Sequence, residues 1–271
     1  MNYTLYQGDC LAILPTLPAG SVDAVICDPP YGTTAHAWDS VIPFAPMWAC
    51  IERVLKPTGA VVLFGSEPFS SLLRVSKIDW YKYDWVWEKT LRSGFMHAKN
   101  APLKAHEVIS VFSPGIVAHH GKTRRMTYNP EMQVGKPYTK RQGGDDRLAW
   151  GNMRRPSTQN NYIQINTGER YPTSILRFAN PNHTNIHPTQ KPLDLMTHLI
   201  RTYTNEGDTV LDFAMGSAST GVAALECGRK FIGIEKDQKF FELASQRMAE
   251  AGRMGHRTND TAADLPLFAE V

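Results

Sequence analysis

Thr209-Val210-Leu211-Asp212-Phe213-Ala214-Met215-Gly216-Ser217-Ala218-Ser219-Thr220-Gly221 is the stretch on which the reading of the chain turns. The apolar run Thr209–Leu211 predicts a strand that delivers Asp212 into a loop of small residues. A helix follows over Val222–Glu226, stopped by Cys227-Gly228, and a second strand, Phe231–Ile234, ends on Glu235. Strand, small-residue loop, helix, strand and acid together outline a nucleotide-binding βαβ unit. The 23 residues from Asp212 to Glu235 match the distance over which a terminal acid reaches ribose hydroxyls.

The strict Gly-x-Gly-x-x-Gly pattern is absent, and a carboxylate stands at the loop entry. An Asp there repels a pyrophosphate. It suits a cofactor that carries an amino group and a sulfonium, namely S-adenosylmethionine.

Immediately upstream, His187-Pro188-Thr189-Gln190-Lys191-Pro192 leads into a predicted helix from Leu193 to Tyr203, and Glu206-Gly207-Asp208 makes a turn. Downstream, Phe240–Met248 reads as a polar-faced helix, and after Ala251 the chain is polar and expected to be loose.

Near the other end, Val25-Ile26-Cys27-Asp28-Pro29-Pro30-Tyr31 repeats the logic of a strand ending in chemistry. The run Val22–Cys27 predicts a buried strand that two prolines must terminate. What remains is a stiff loop at a strand's carboxyl end, where open α/β sheets place ligands. Asp28 and the Pro29 carbonyl can each accept a hydrogen from one amino group, and Tyr31 offers a flat face to a ring. That set suits the exocyclic amine of a nucleobase.

Around it, Tyr3–Gln7 predicts a strand running into Gly8-Asp9-Cys10, then a short helix over Leu11–Leu14. Phe44–Leu55 has helical spacing and stops at Lys56-Pro57-Thr58-Gly59. The continuous apolar run Ala60–Phe64 predicts a buried parallel strand, followed by a helix towards Val75. Tyr83–Trp87 and Val108–Phe112 predict further strands, with one of Trp85 and Trp87 in the core. The expected fold is a doubly wound, mostly parallel Rossmann-like α/β sheet.

Between 115 and 186 apolar periodicity fades, and eleven Lys and Arg face four acids, leaving −4 for the remainder of a chain of formal charge +3. Tyr128, Tyr138, Trp150, Tyr162 and Tyr171 are interleaved with the cations. A solvated loop would account for this composition. A basic, aromatic insert is also what tracks a phosphate backbone, through Lys122, Arg124, Arg125, Lys140, Arg141, Arg154 and Arg155. The expected organisation is a catalytic half at 1–114, a target-recognition insert at 115–186, a cofactor half at 187–251 and a polar tail at 252–271.

With 271 residues, 42% apolar and 20% charged, the chain suits one large domain or a domain with an inserted lobe. No apolar run approaches the roughly 18 residues of a membrane span, and the N-terminal residues lack signal-peptide character. Cys10, Cys27, Cys50 and Cys227 are widely separated and have no His partner at metal spacing. They are expected to be reduced thiols of a cytoplasmic protein, without metal or disulfide.

The ordered set of motifs resembles the β-class DNA amino-methyltransferases, in which the catalytic motif precedes the cofactor motif. Asp28-Pro29-Pro30-Tyr31 matches the family's catalytic motif in the form typical of adenine-N6 enzymes. The resemblance implies catalytic roles for these four residues and a bacterial or phage origin. It places S-adenosylmethionine against Asp9, Cys10, Asp28, His187, Thr189, Gln190, Lys191, Asp212, Phe213, Ala214, Gly216, Ser217, Ser219, Thr220, Glu235 and Lys236. Within that set Glu235 matches the ribose-binding acid, Asp9 the acid at the cofactor adenine, and 187–192 the segment at the methionine end. Trp87-Glu88-Lys89 and His106-Glu107 resemble weaker motifs on the catalytic side.

The match covers roughly 3–114 and 187–249. It departs at the cofactor loop, where Phe213 and Ala214 replace the usual Pro and Phe and Ala218 replaces a Gly. The implied partner is double-stranded DNA with one adenine flipped out, and because members of the class often dimerise, a homodimer falls within the expectation. Cytosine-N4 methylation, methylation of RNA or of a protein glutamine, and a non-catalytic nucleic-acid-binding relative are the alternatives. The opening Asp28 disfavours the first and, with Glu235, the last. Cys27 is expected in the core and His119-His120 in a solvated loop.

Overall fold

The computed structural model describes residues 2–33, 39–117, 124–142, 162–180 and 190–263. In chain order the elements are β1 (Tyr3–Gln7), α1 (Cys10–Ile13), β2 (Val22–Cys27), α2 (Phe44–Val54), β3 (Leu55–Gly65), α3 (Phe69–Ser76), β4 (Tyr81–Ser93), β5 (Lys104–Phe112), β6 (Gln133–Val134), β7 (Tyr138–Gln142), β8 (Tyr162–Asn166), β9 (Glu169–Arg170), β10 (Ile175–Arg177), α4 (Leu193–Tyr203), β11 (Thr209–Asp212), α5 (Ser219–Glu226), β12 (Lys230–Glu235) and α6 (Gln238–Ala263).

Among the described residues, eight strands form one sheet in the order β1-β12-β11-β2-β3-β5-β4-β10. All pairings are parallel except those of β5, which runs against both its neighbours. The strands that lead to Asp28 and Asp212 are therefore neighbours at the β2–β11 pairing, where Ala24 and Val25 lie beside Val210 and Leu211.

From this line the crossovers diverge. The chain leaves β2 through α2 to β3 on one side, and leaves β11 through α5 to β12 on the other. Such a divergence is the topological switch point at which open α/β sheets bind ligands.

Alternation along β2 shows why helices cover both faces. Ala24 and Ile26 pack with α4 and α5 residues such as Leu199 and Ala223. Val25 and Cys27 pack on the opposite face with Met47 and Ile51 of α2. The strand is buried on both faces and so reads as an unbroken apolar run.

Several boundaries differ from expectation for physical reasons. Lys56–Gly59, expected to stop a helix, lies within β3 and bulges where the β2–β3 register jumps from Val22↔Leu55 to Ala24↔Ala60. Trp85 and Trp87 are both buried, 4% and 2% exposed, because residues two apart on a strand share a face. The expected loose tail is helical to Ala263, in a stretch that meets no proline before Pro266.

The described residues form two compact units, one from 1–129 with 174–271 and one from 130–173. The flanks of the expected 115–186 insert thus belong with the main sheet, where Met126 joins the core and β10 extends the edge. The second unit pairs β6 with β9 and β7 with β8, both antiparallel. Within it Arg170 lies over the Tyr138 ring, 4.8 Å from its centroid.

Candidate active site

The parallel strands β1, β12, β11 and β2 end at one edge, each followed by or finishing on a carboxylate: Asp9, Glu235, Asp212 and Asp28. All four line a single cavity of about 690 Å³. Every described residue expected to bind cofactor or act in catalysis lines it too, including Gln190 and Lys191 ahead of α4 and the loop residues Phe213, Ala214, Gly216, Ser217 and Ser219. His187 and Thr189 lie outside the described residues.

On the β11–β12 side Glu235 is held by backbone, and Asp212 by one backbone N–H and a hydroxyl. Glu235 accepts from the Gly216 and Asp237 N–H groups, each at 2.8 Å, and burial raises its pKa. Asp212 accepts from the Ala214 N–H at 3.2 Å and the Thr220 hydroxyl at 2.6 Å. Burial pushes Asp212 up to about 6 in spite of these donors and the Cys27 thiol. Cys27 is fully buried, as expected, and its own pKa is raised by that burial.

Asp9 caps α1 through the Leu11 N–H and pairs with Lys236 at 3.0 Å, which lowers its pKa. The Ser219 hydroxyl is buried at the start of α5 without a hydrogen-bond partner among the described residues. Gly221, one turn in, brings α5 so close to β12 that an added Cβ would stand 2.6 Å from the Phe231 ring.

Ala218, the residue in place of the family's Gly, sits at φ 58°, ψ 38° and is fully buried. A left-handed residue with a Cβ costs about 1–2 kcal/mol. The loop keeps the glycine conformation and carries that strain.

On the β2 side the carboxylate is held by side chains. Asp28 accepts from the Tyr31 hydroxyl on one oxygen and from Lys191 Nζ, at 2.5 Å, on the other. Lys191 also lies 3.3 Å from Glu107 on β5, and Glu107 accepts a hydrogen bond from Lys89 on β4. Burial raises the Asp28 pKa, Lys191 opposes it, and Glu107 adds to it. Burial works against the charge on Lys191, yet Asp28 and Glu107 outweigh it and raise its pKa. Glu107 is lowered because its two lysines exceed its own desolvation.

Tyr31 stays a phenol, raised by burial and by Asp28, and its ring packs on Phe69 at 5.1 Å between centroids. The loop after Tyr31 is fixed by Asp39, whose carboxylate accepts from the backbone N–H groups of Tyr31, Gly32 and Thr33 at 2.8–2.9 Å.

Lys191, expected against the cofactor, lines the cavity and pairs there with Asp28. Asp39, Ser66 and Lys104 line the cavity with no motif to announce them. Of the expected DNA contacts, Arg124 and Arg125 are exposed in the first unit and Lys140 is exposed on β7 in the second. Lys122, Arg154 and Arg155 lie outside the described residues, as does the side chain of Arg141.

Four carboxylates line one cavity at the sheet's switch point, next to the Asp28-Pro29-Pro30-Tyr31 loop. The architecture is that of a Rossmann-like α/β fold with a mixed, mostly parallel sheet. The family model described as DNA methylase, of N6 and N4 type, matches residues 22–246, and the chain belongs to that family.

It is 29% identical over 257 residues to the DNA adenine methyltransferase YhdJ of Escherichia coli (strain K12), covering 90% of this chain and 82% of that one. The structure of an M1.HpyAVI–SAM complex aligns with TM-score 0.56 at 23% identity, over 90% of this chain and 99% of that one. The PvuII cytosine-N4-specific DNA methyltransferase aligns with TM-score 0.64 at 17% identity, over 95% and 92%. At these identities the two solved structures show a shared fold.

Proposed function

We propose that the chain transfers a methyl group from S-adenosylmethionine to the N6 amine of an adenine flipped out of duplex DNA. The observation that carries this reading is the placement of Asp28 in one cavity with Asp212 and Glu235, from opposite ends of the sequence. The adenine assignment rests on the Asp that opens the motif and on the adenine-methylating relative.

The donor set fits the cofactor. Glu235 offers acceptor oxygens to hydroxyls, the carboxylates suit a cation, and the Ser219 hydroxyl, without a partner among the described residues, offers a further polar contact. When bound, S-adenosylmethionine supplies an electrophilic methyl group on a sulfonium.

The protein's own part is positional and electrostatic. A carboxylate has about four acceptor sites, and Tyr31 and Lys191 occupy one on each Asp28 oxygen, leaving capacity for an incoming amine. Accepting the amine hydrogens at Asp28 and at the Pro29 carbonyl favours a pyramidal nitrogen whose lone pair is localised for in-line attack. Lys191 helps keep Asp28 ionised in a buried position, and Glu107 and Lys89 hold Lys191. Extrusion of the base from the duplex costs a few kcal/mol, of which aromatic contact with Tyr31 would return about 1–3 kcal/mol. The exposed cations Arg124, Arg125 and Lys140 are proposed to contact phosphates.

The test is modification-sensitive long-read sequencing of DNA from a methylation-free bacterial host expressing the chain. Methyladenine at one recurrent short motif is the expected result. Methylcytosine would replace adenine by cytosine as the target, and absence of any modification with folded protein would remove the DNA reading.

A further inference from the structure

Strands β4 and β5 do not stop at the sheet. Their pairing is regular from Tyr83↔Val111 to Glu88↔His106, shifts, and resumes at Ser93↔Lys104, so the two strands continue as an arm with a turn at its tip. The tip is ordered by its own backbone: Gly94 is left-handed at φ 91°, and the N–H groups of His97, Ala98 and Asn100 bond to the carbonyls of Gly94, Phe95 and His97. The root is braced by Asn180, whose side-chain oxygen accepts from the Leu91 N–H at 3.0 Å and whose own N–H donates to the Thr90 hydroxyl at 3.1 Å.

This ordered arm buries nothing of its own. Every residue from Leu91 to Pro102 is exposed, and Leu91, Phe95 and Met96 are 53%, 68% and 96% exposed. Large apolar side chains grouped at an exposed tip mark an interaction surface, and no core explains them.

The charge identifies the partner. From Thr90 to His106 the sequence contains Arg92, Lys99 and Lys104 and no Asp or Glu, while Lys89 at the root is already paired with Glu107. An isologous pairing of two arms would bring these cations together, whereas a polyanion would neutralise them. Position identifies the role. Lys89, Ser93 and Lys104 line the same cavity as Asp28, and Met96 follows Ser93 by three residues, at most about 11 Å of chain. Cations along an arm with an apolar tip are the elements with which proteins grip phosphates and wedge between base steps.

We infer that the β4–β5 arm is a DNA wedge: Phe95 and Met96 enter the base stack beside the target adenine and hold open the gap it leaves, while Arg92 and Lys99 grip the flanking phosphates. This inference rests on the DNA reading above and adds an element outside the 115–186 insert.

The test uses full-length protein and duplexes carrying the mapped motif. In one the target adenine is paired; in the other it faces an abasic site and is extruded at little cost. Phe95→Ser with Met96→Ser is expected to slow transfer on the paired duplex by about tenfold or more and to act within about threefold of wild type on the abasic duplex. Arg92→Ala with Lys99→Ala is expected to weaken binding of both duplexes and reduce the salt slope by about 2.

Because these side chains are exposed, unchanged melting is the folding control. Wild-type rates of Phe95→Ser with Met96→Ser on the paired duplex would overturn the wedge, and so would a deficit of equal size on both duplexes. A change of oligomeric state in place of a base-pairing effect would assign the tip to a second copy and overturn it too. If wild-type protein methylates neither duplex, the DNA reading itself falls and the wedge falls with it.

Discussion

Asp28 and Glu235 stand at the ends of parallel strands in one sheet and face one cavity, yet they are held in opposite ways. Glu235 is gripped by two backbone N–H groups, from Gly216 and Asp237, so its position is set by the fold of the loop. Asp28 is gripped by a phenol and an ammonium, from Tyr31 and Lys191, with Glu107 behind the lysine. A carboxylate fixed by backbone is a binding group whose geometry is preorganised. One fixed by side-chain charge has its ionisation tuned as well, which suits the group that receives the reacting amine.

The largest expected effect falls on the side-chain-held carboxylate. Asp28→Ala should lower methyl transfer at least ~10³-fold. DNA binding, read by gel shift or anisotropy, should stay within about tenfold.

Lys191→Met is next. It leaves Asp28 and Glu107 as buried neighbours without their shared cation, so the Asp28 pKa rises further and its ionised fraction at neutral pH falls. Transfer at pH 7 should drop about tenfold or more, and the acid limb of the kcat/KM profile should move to higher pH. Raising the pH should recover part of the loss. An unmoved profile would mean that Lys191 only packs.

The β11–β12 side predicts a stability effect. Asp212 goes from an ordinary value of 3.8 to about 6 in the folded protein, so the folded state keeps its proton longer than the unfolded one. Stability therefore falls as pH rises through that window, by about 3 kcal/mol from this group. Urea unfolding of Asp212→Asn and wild type from about pH 3 to 8 should show wild type losing that amount relative to the variant.

Smallest is Ala218→Gly, which relieves the left-handed strain at the loop. It should raise the unfolding free energy by about 0.5–1 kcal/mol, after allowance for the greater freedom of glycine in the unfolded chain.

The sequence reveals the backbone-held side almost completely. Strand ends, a small-residue loop and a terminal acid are local patterns, and Asp212 and Glu235 fall where the βαβ outline places them. The Asp28 motif is equally local. Its supports are not: Glu107 and Lys89 carry weak motifs, but only the antiparallel pairing of β4 with β5 and the crossover into β3 bring them to Asp28. Asp39 reads as an ordinary loop acid because its partners are backbone N–H groups. The three-residue β10 is too short for periodicity, and the β4–β5 arm has no buried face to impose alternation.

The comparison is tested most directly by calorimetric titration of S-adenosylmethionine into wild type, Asp28→Ala and Glu235→Gln. With folding checked by melting, Glu235→Gln should bind about 10–100-fold more weakly, since an amide cannot accept at both ends. Asp28→Ala should bind within about tenfold of wild type while transferring no methyl group. Equal losses of affinity in the two variants would contradict the division of the cavity into a backbone-held binding side and a charge-held catalytic side.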